Sequence, residues 1–229
     1  MKKIVILTGA GISAESGIKT FRDADGLWEG HDIMEVASPI GWERNRELVL
    51  DFYNKRRTQL LTVLPNEGHN ALVLLEKQFE TTIITQNVDD LHERAGSKNV
   101  LHLHGELLKV RSSKNENLVY SWKTALNIGD VCEEDYQLRP HIVWFGEEVP
   151  MLDKAIEITS KADILIIIGT SMQVYPAASL IHFTKEKTPI YFIDPKPAIQ
   201  ENKYLNLTVI PEKASIGVAK LVNELIDLK

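Results

Sequence analysis

The chain has 229 residues, 44% of them apolar and 25% charged, which suits a globular protein with one large core or a main body carrying a smaller lobe. A formal net charge of −6 argues against general nucleic-acid binding through a basic surface. The strongest apolar run, Ile164–Ile168, is too short to span a bilayer, and the single cysteine, Cys132, excludes an intrachain disulfide and any multi-cysteine metal site. The apolar start at residues 1–7 meets a glycine loop too soon for a signal-peptide core, so a cytoplasmic location is expected.

In chain order, Lys3–Thr8 reads as a first strand and 12–20 as a short helix opened by a glycine turn. Asp23-Ala24-Asp25-Gly26 is a turn-rich break. Residues 43–61 read as a helix with Leu48, Phe52, Arg56 and Gln59 roughly along one side, and 68–78 as a second helix. Residues 81–85 and 100–103 are strands. From 111 to 135 the chain turns polar with weak periodicity, as an inserted lobe with a small hairpin would, 118–122 being one of its strands. Regular alternation then returns: strand 141–144, helix 153–160, buried strand 163–168, helix 176–185, strands 189–193 and 207–210, and closing helix 215–228. The pattern predicts an α/β fold: a Rossmann-like, doubly wound parallel sheet with a smaller lobe formed by two insertions. The core is expected at about 1–27, 79–108 and 139–229, and the lobe at about 28–78 and 109–138, in a single catalytic domain spanning 1–229.

Three runs at strand ends carry the chemistry. Gly9-Ala10-Gly11-Ile12-Ser13-Ala14 fits G-x-G-x-x-G/A between a strand and a helix, which suits a nucleotide pyrophosphate but also an ordinary strand-to-helix turn. The acid that would bind a ribose about 20 residues on in a dehydrogenase is missing, since 20–28 does not read as a strand, so simple hydride transfer is disfavoured. Gln86, Asn87 and Asp89 offer donors and acceptors suited to ribose hydroxyls and a carboxamide, or to a hydrogen-bonded turn. His102 and His104 alternate and so share a strand face. They suggest a two-histidine metal site lacking an obvious third ligand, structural histidines, or a general base at the sheet rim, where Gly105 is expected to end the strand. Gly169-Thr170-Ser171 and Asp194 end later strands, where a second half of a dinucleotide would rest; N-cap chemistry explains Ser171 equally well.

Taken as an ordered set, these runs resemble the sirtuin family of NAD-dependent protein lysine deacylases. The matching pieces are Gly9-Ala10-Gly11-Ile12-Ser13 with Ser16-Gly17-Ile18 and Phe21-Arg22, then Thr85-Gln86-Asn87-Val88-Asp89 and His104-Gly105. They continue with Val143-Trp144-Phe145-Gly146-Glu147, Gly169-Thr170-Ser171 and Pro176-Ala177. The resemblance implies that nicotinamide leaves NAD, that the acyl-lysine carbonyl oxygen attacks the ribose C1′, and that His104 activates a ribose hydroxyl. That hydroxyl would then attack the imidate and water would complete the release, giving lysine, nicotinamide and an O-acyl-ADP-ribose. It further implies an NAD site formed by Gly9, Ala10, Gly11, Ser13, Ala14, Glu15, Ser16, Gly17, Thr20, Phe21, Arg22 and Trp28, with Gln86, Asn87, Val88, Asp89, Gly169, Thr170, Ser171, Asp194 and Ala214. Asn87 and Asp89 would hold ribose and carboxamide, Phe21 would shield the reactive face, Arg22 would sit near phosphate, and Asp194 replaces the family's usual ribose-binding Asn. Val143, Trp144, Phe145 and Gly146 would pair with an acylated-lysine peptide as a strand.

Tyr53 and Arg56, three apart on one helix, resemble the Tyr-x-x-Arg of the sirtuin branch that removes malonyl, succinyl or glutaryl groups; Ala37 would leave room for the acyl pocket. Most sirtuins carry a structural zinc on two cysteine pairs after His104-Gly105. Here Ser112-Ser113 stands where the first pair would begin and Cys132 is alone, so no zinc is expected. Acylated-lysine proteins or peptides are the expected partners, with neither nucleic acid nor membrane, and a monomer is favoured. The competing functions are NAD hydrolysis or ADP-ribosyl transfer, and a non-catalytic NAD-binding sensor.

Overall fold

The computed structural model describes residues 1–19, 27–28, 30–200 and 203–227, with the backbone alone at 27 and 28. Six parallel strands make the main sheet: β1 (Lys3–Thr8), β4 (Glu80–Thr85), β5 (Val100–His102), β9 (Ile164–Ile168), β10 (Ile190–Ile193) and β11 (Leu207–Ile210). Their order is β11-β10-β9-β1-β4-β5. The chain starts in the middle, builds out to β5, returns to the far side of β1 and builds out to β11. That is doubly wound topology, with the reversal between β1 and β9, the place where such sheets open a crevice at their carboxyl ends.

Both faces of the sheet are covered, so its central strands β1, β9 and β10 are near-continuous apolar runs rather than alternating ones. Ile4, Ile6 and Ile166 point to a face covered by α5 (Glu67–Leu75) and α8 (Ala214–Asp227), among them Leu72, Leu75, Val218 and Leu221. Val5, Leu7, Leu165 and Ile167 point to the other, which is covered by Ala155 of α7 (Leu152–Ser160) and Leu180 and Ile181 of a 3-10 segment, Ala177–Phe183.

The lobe has its own core. A three-stranded antiparallel sheet, β7-β6-β8, is built from β6 (Gly105–Ser112), β7 (Val119–Ser121) and β8 (Leu138–Ile142). It packs with α2 (Ile33–Val36), α3 (Pro39–Arg44) and α4 (Arg46–Leu60) through Val36, Trp42, Val49, Tyr53, Leu107, Val110, Leu138 and Trp144. A separate ribbon pairs β2 (Leu27–Trp28) with β3 (His31–Asp32), so 27–28 is a strand of this ribbon and not of the main sheet. The two remaining helices are α1 (Ala10–Ser13) and α6 (Leu91–Ala95).

Several sequence expectations need correction. The helix expected over 43–61 is two helices, because Asn45 stops α3 and caps α4, its Oδ1 accepting from Leu48 N at 3.0 Å. The buried side of α4 carries Val49, Leu50, Phe52, Tyr53, Arg57 and Leu60 instead of the stripe through Leu48 and Gln59. The helix expected over 12–20 is the single turn α1 followed by a 3-10 turn, Ala14–Ser16, and 176–185 is also 3-10 in character. The strand expected over 141–144 is β8, which begins three residues earlier and ends at Ile142. Gly105 opens β6 rather than ending a strand. Segment 67–75, expected in the lobe, sits on the main sheet against α8, whereas β6 and β8 draw residues 105–108 and 139–142 into the lobe.

Candidate active site

At the switch point the turn after β1 meets the turn after β9. Gly11 N donates to Gly169 O at 2.8 Å, and Gly9 N donates to Ile168 O at 3.0 Å. A Cβ on Gly11 would lie 2.6 Å from Gly169 Cα, so glycine is required for the two turns to touch. These N–H groups are therefore engaged within the protein. The two glycines thus serve the close approach of one turn to the other.

Ser13, on α1, lies at the centre of a buried polar triangle. Its Oγ donates to Asp89 Oδ2 at 2.9 Å and receives a bond from Asn87 Nδ2 at 3.1 Å. Asp89 Oδ1 accepts from Leu91 N at 3.2 Å at the start of α6. Burial pushes the Asp89 carboxyl upward, opposed by the bonds from Ser13 and Leu91. Gln86 Nε2 donates to Thr170 Oγ1 at 3.2 Å, joining the turn after β4 to the turn after β9. Val88 O accepts from Leu107 N at 2.7 Å, so this residue serves backbone pairing with β6.

His104 lies between β5 and β6, half-buried at the same rim. Its Nδ1 is 3.0 Å from Gln86 O. That contact places the ring proton on Nδ1 and leaves Nε2 as the lone-pair nitrogen. Burial lowers the pKa of His104, partly offset by the Gln86 bond, so the ring is neutral near pH 7. His102 grips the next carbonyl, Nδ1 to Asn87 O at 3.1 Å, and its Nε2 meets Glu93 Oε1 at 2.8 Å.

The lobe supplies a second group of residues. Tyr53 is fully buried, and Trp144 Nε1 donates to its hydroxyl at 3.0 Å. With that oxygen accepting from the indole, the phenolic proton is left to donate elsewhere; burial raises the pKa of this phenol. The Arg56 guanidinium lies 5.5 Å from the Phe52 ring centre and acts electrostatically on Tyr53. Trp144 is itself buried, stacked under Arg139 at 3.3 Å. Its backbone N–H donates to Glu147 Oε2 at 2.8 Å, and Glu147 also receives Arg139 Nη1 at 2.6 Å. Val143 N donates to His104 O and Phe145 N to Ala37 O, so the segment 143–146 is a turn tied to both His104 and Ala37.

The other expected site residues fall as follows. Glu15 is exposed and accepts from Ser215 N and Oγ, at 3.1 and 2.6 Å. Ser16 Oγ receives Asn66 Nδ2 at 3.0 Å. Ala10, Ala14 and Gly17 line the same first turn. Asp194 is buried at the end of β10 and accepts from Lys196 N; Ala214 is buried at the start of α8; Ser171 is half-buried after β9. Thr20, Phe21 and Arg22 lie outside the described residues, as does the Trp28 side chain.

Sequence reading missed three supports. Asn66 caps α5 and sends Nδ2 to Ile12 O at 2.8 Å, holding the glycine turn from below. Its position before an apolar helix was the available signal. Arg57 is buried and bonds Leu107 O through Nε at 3.1 Å, pinning α4 to β6. His92, also buried, sits behind the triangle with Nε2 at 3.0 Å from Thr8 Oγ1, which bonds Thr85 Oγ1 in turn.

The donor set fits a dinucleotide such as NAD. A buried carboxylate, a carboxamide and a hydroxyl are already oriented at the carboxyl ends of β1 and β4, which suits ribose hydroxyls and an amide. Among the described residues no group of three or more His, Cys, Asp or Glu side chains converges as a metal site, and no helix is long and apolar enough to cross a membrane.

Known proteins match this chain over its length. A protein of Helicobacter pylori named NAD-dependent protein deacylase is 61% identical over 230 residues, covering 100% of this chain and 99% of the relative. One of the same name from Bacteroides thetaiotaomicron is 51% identical over 232 residues, covering 99% of each. A Sir2 homologue solved as an NAD complex superposes with a TM-score of 0.88 at 39% identity, covering 99% of this chain and 90% of that one. A Sir2 bound to acetylated peptide gives 0.78 at 28% identity, covering 96% and 92%. The Sir2 family profile matches residues 9–176, the stretch that contains the glycine turn, the Ser13–Asn87–Asp89 triangle and His104. The chain belongs to the Sir2 family.

Proposed function

We propose that this protein is an NAD-dependent protein-lysine deacylase that releases nicotinamide and O-acyl-ADP-ribose and prefers acidic acyl groups, succinyl or malonyl, over acetyl. The observation that carries the reading is the setting of His104: a neutral imidazole with Nδ1 committed to Gln86 O, at the rim beside the Ser13–Asn87–Asp89 triangle. Relatives bearing the deacylase name, and neighbours solved with NAD or with an acetylated peptide, support it.

NAD, when bound, supplies a ribose carbon from which nicotinamide can depart. Asn87, Asp89 and Ser13 would hold the ribose and carboxamide, with side chains already oriented by the bonds they make to one another. His104 Nε2 takes a proton from a ribose hydroxyl, since its other nitrogen is engaged. Asp194, buried at the end of β10, would accept from the second ribose. The peptide docks along 143–146; the N–H groups of Val143, Trp144 and Phe145 are bonded within the protein, so this edge offers acceptors. Tyr53 donates its phenolic proton to an acyl carboxylate, and Arg56 offers that carboxylate a guanidinium.

Mass spectrometry of reactions containing NAD and matched acetyl-, malonyl- and succinyl-lysine peptides tests the proposal. The expected products are free lysine peptide, nicotinamide and O-acyl-ADP-ribose, fastest from the acidic acyl groups. ADP-ribose alone, or ADP-ribosylated peptide, would instead identify hydrolysis or transfer.

A further inference from the structure

His102 is the histidine that the deacylase reading leaves without a role, although it grips the site as firmly as His104 does. The two rings bond consecutive carbonyls, His104 to Gln86 O and His102 to Asn87 O, at 3.0 and 3.1 Å. They differ at the second nitrogen. His102 Nε2 faces Glu93 Oε1 at 2.8 Å, and the His102 side chain is only 9% exposed. A carbonyl oxygen and a carboxylate oxygen are both acceptors, and only an imidazolium donates from both ring nitrogens. The geometry thus selects the charged ring. Glu93 stands on α6, immediately after the 86–90 turn, and His102 ends β5, so the ring bridges strand, turn and helix.

The charges around His102 agree. Glu93 of α6 and Glu106 of β6 face it as anions, and the buried Asp89 carboxylate of the turn interacts with it. His92 of α6 is close but burial keeps it neutral, and Lys109 of β6 acts on Glu93 while bonded to Glu106 at 2.6 Å. Burial, the largest single influence, opposes the charge on His102, yet the bond to Glu93, the charges of Glu93 and Glu106 and the Asn87 carbonyl together outweigh it and its pKa is raised, while that of Glu93 is lowered.

We propose that His102 is a positioning residue: anchored on Glu93, it fixes the Asn87 carbonyl and thereby holds the Asn87 and Asp89 side chains in the arrangement that receives NAD. This rests on the NAD reading of the site but not on the acyl group removed. NAD binding by the full-length chain, measured by calorimetry across pH, tests it, with folding of each variant checked by thermal melting. His102→Leu is expected to weaken NAD binding about tenfold, the effect of losing a charged hydrogen bond. His102→Gln, which retains a donor for Asn87 O, should recover part of it. KM for the acyl-peptide should stay within about twofold, and the acid limb of the rate, set by His104, should not move. Wild-type affinity should fall as pH rises through the His102 pKa, and Glu93→Gln should move that fall to lower pH. NMR of the cofactor-free protein should show the same displacement in the His102 Cε1–H titration, a readout that stands even where His102→Leu does not fold.

Unchanged NAD affinity in a folded His102→Leu variant, or a pH dependence identical in wild type and Glu93→Gln, overturns the proposal. An equal rise in KM for peptide and for NAD would do so too, by making His102 a general structural residue. Wild type that binds NAD but releases no deacylated peptide refutes the deacylase reading and leaves the His102 result standing, because that result is read in binding.

Discussion

His104 and Arg56 are each assigned a chemistry that a single substitution can isolate. His104→Ala removes the proton acceptor but none of the Ser13–Asn87–Asp89 contacts. Turnover is expected to fall by ~10²–10⁴ while NAD affinity, measured by calorimetry, is retained. Near-normal turnover would remove His104 from the mechanism. In the proposed mechanism the active form is the neutral ring, and burial lowers its pKa below 6.5. Activity should therefore be complete at neutral pH and decline as pH falls through that lowered value, so kcat/KM should show its acid limb below 6.5. Arg56→Met should depress kcat/KM on a succinyl-peptide by about tenfold or more, since a hydrogen-bonded ion pair is lost, and leave the acetyl-peptide nearly unaffected. Arg56→Lys should rescue only in part, because an ammonium lacks the two-pronged fork. Equal losses on both peptides would make Arg56 a structural residue.

Among the elements, β6 and β8 connect the rim that carries His104 to the lobe. Gly105 joins His104 to β6 with φ +81°, and a Cβ there would collide with the His141 carbonyl oxygen across the β6–β8 pairing. Gly129, in the lobe, has φ +94° but open space around its Cα. Both substitutions to alanine incur the left-handed backbone cost of ~1–2 kcal/mol. Gly105→Ala adds a backbone clash that no rotamer relieves, so urea unfolding should show a clearly larger loss for it than for Gly129→Ala. Equal losses would mean that β8 can yield at His141.

The whole molecule gathers short runs that lie far apart in sequence. The return of the chain to β9 beside β1 brings Gly169 and Thr170 against the glycine turn and Gln86. The lobe holds together by its own apolar cluster and by polar ties such as Arg57 to Leu107 O and Arg139 to Glu147. Purified protein is therefore expected to carry no stoichiometric zinc and to keep its activity and melting temperature in chelator. One zinc per chain, lost together with activity, would refute this and send attention back to His102 and His141 as ligands.

The sequence by itself determined the parallel α/β sheet, because short apolar runs alternate with helical patterns and, in the last third of the chain, follow one another as βαβ units that bury both faces. It also located the glycine turn, Asn87, Asp89 and His104, since each directly follows such a run and strand ends face the crevice. It could not reveal that β6 extends past Gly105, because that strand mixes polar and apolar residues to suit a lobe packed on one side. Nor could periodicity place Arg57 on the buried side of α4, or show that Asn45 splits the helix, because both depend on partners distant in the chain or on a cap competing with helix continuation. Only the tertiary structure decided that the Gly9 and Gly11 N–H groups bond the turn after β9, that Trp144 bonds the Tyr53 hydroxyl, and that His102 and His104, identical in sequence pattern, have pKa values shifted in opposite directions. The reason for the last lies in the partners: α6 brings Glu93 to the second nitrogen of His102, with Glu106 near, whereas His104 has only the Gln86 carbonyl to offset its burial.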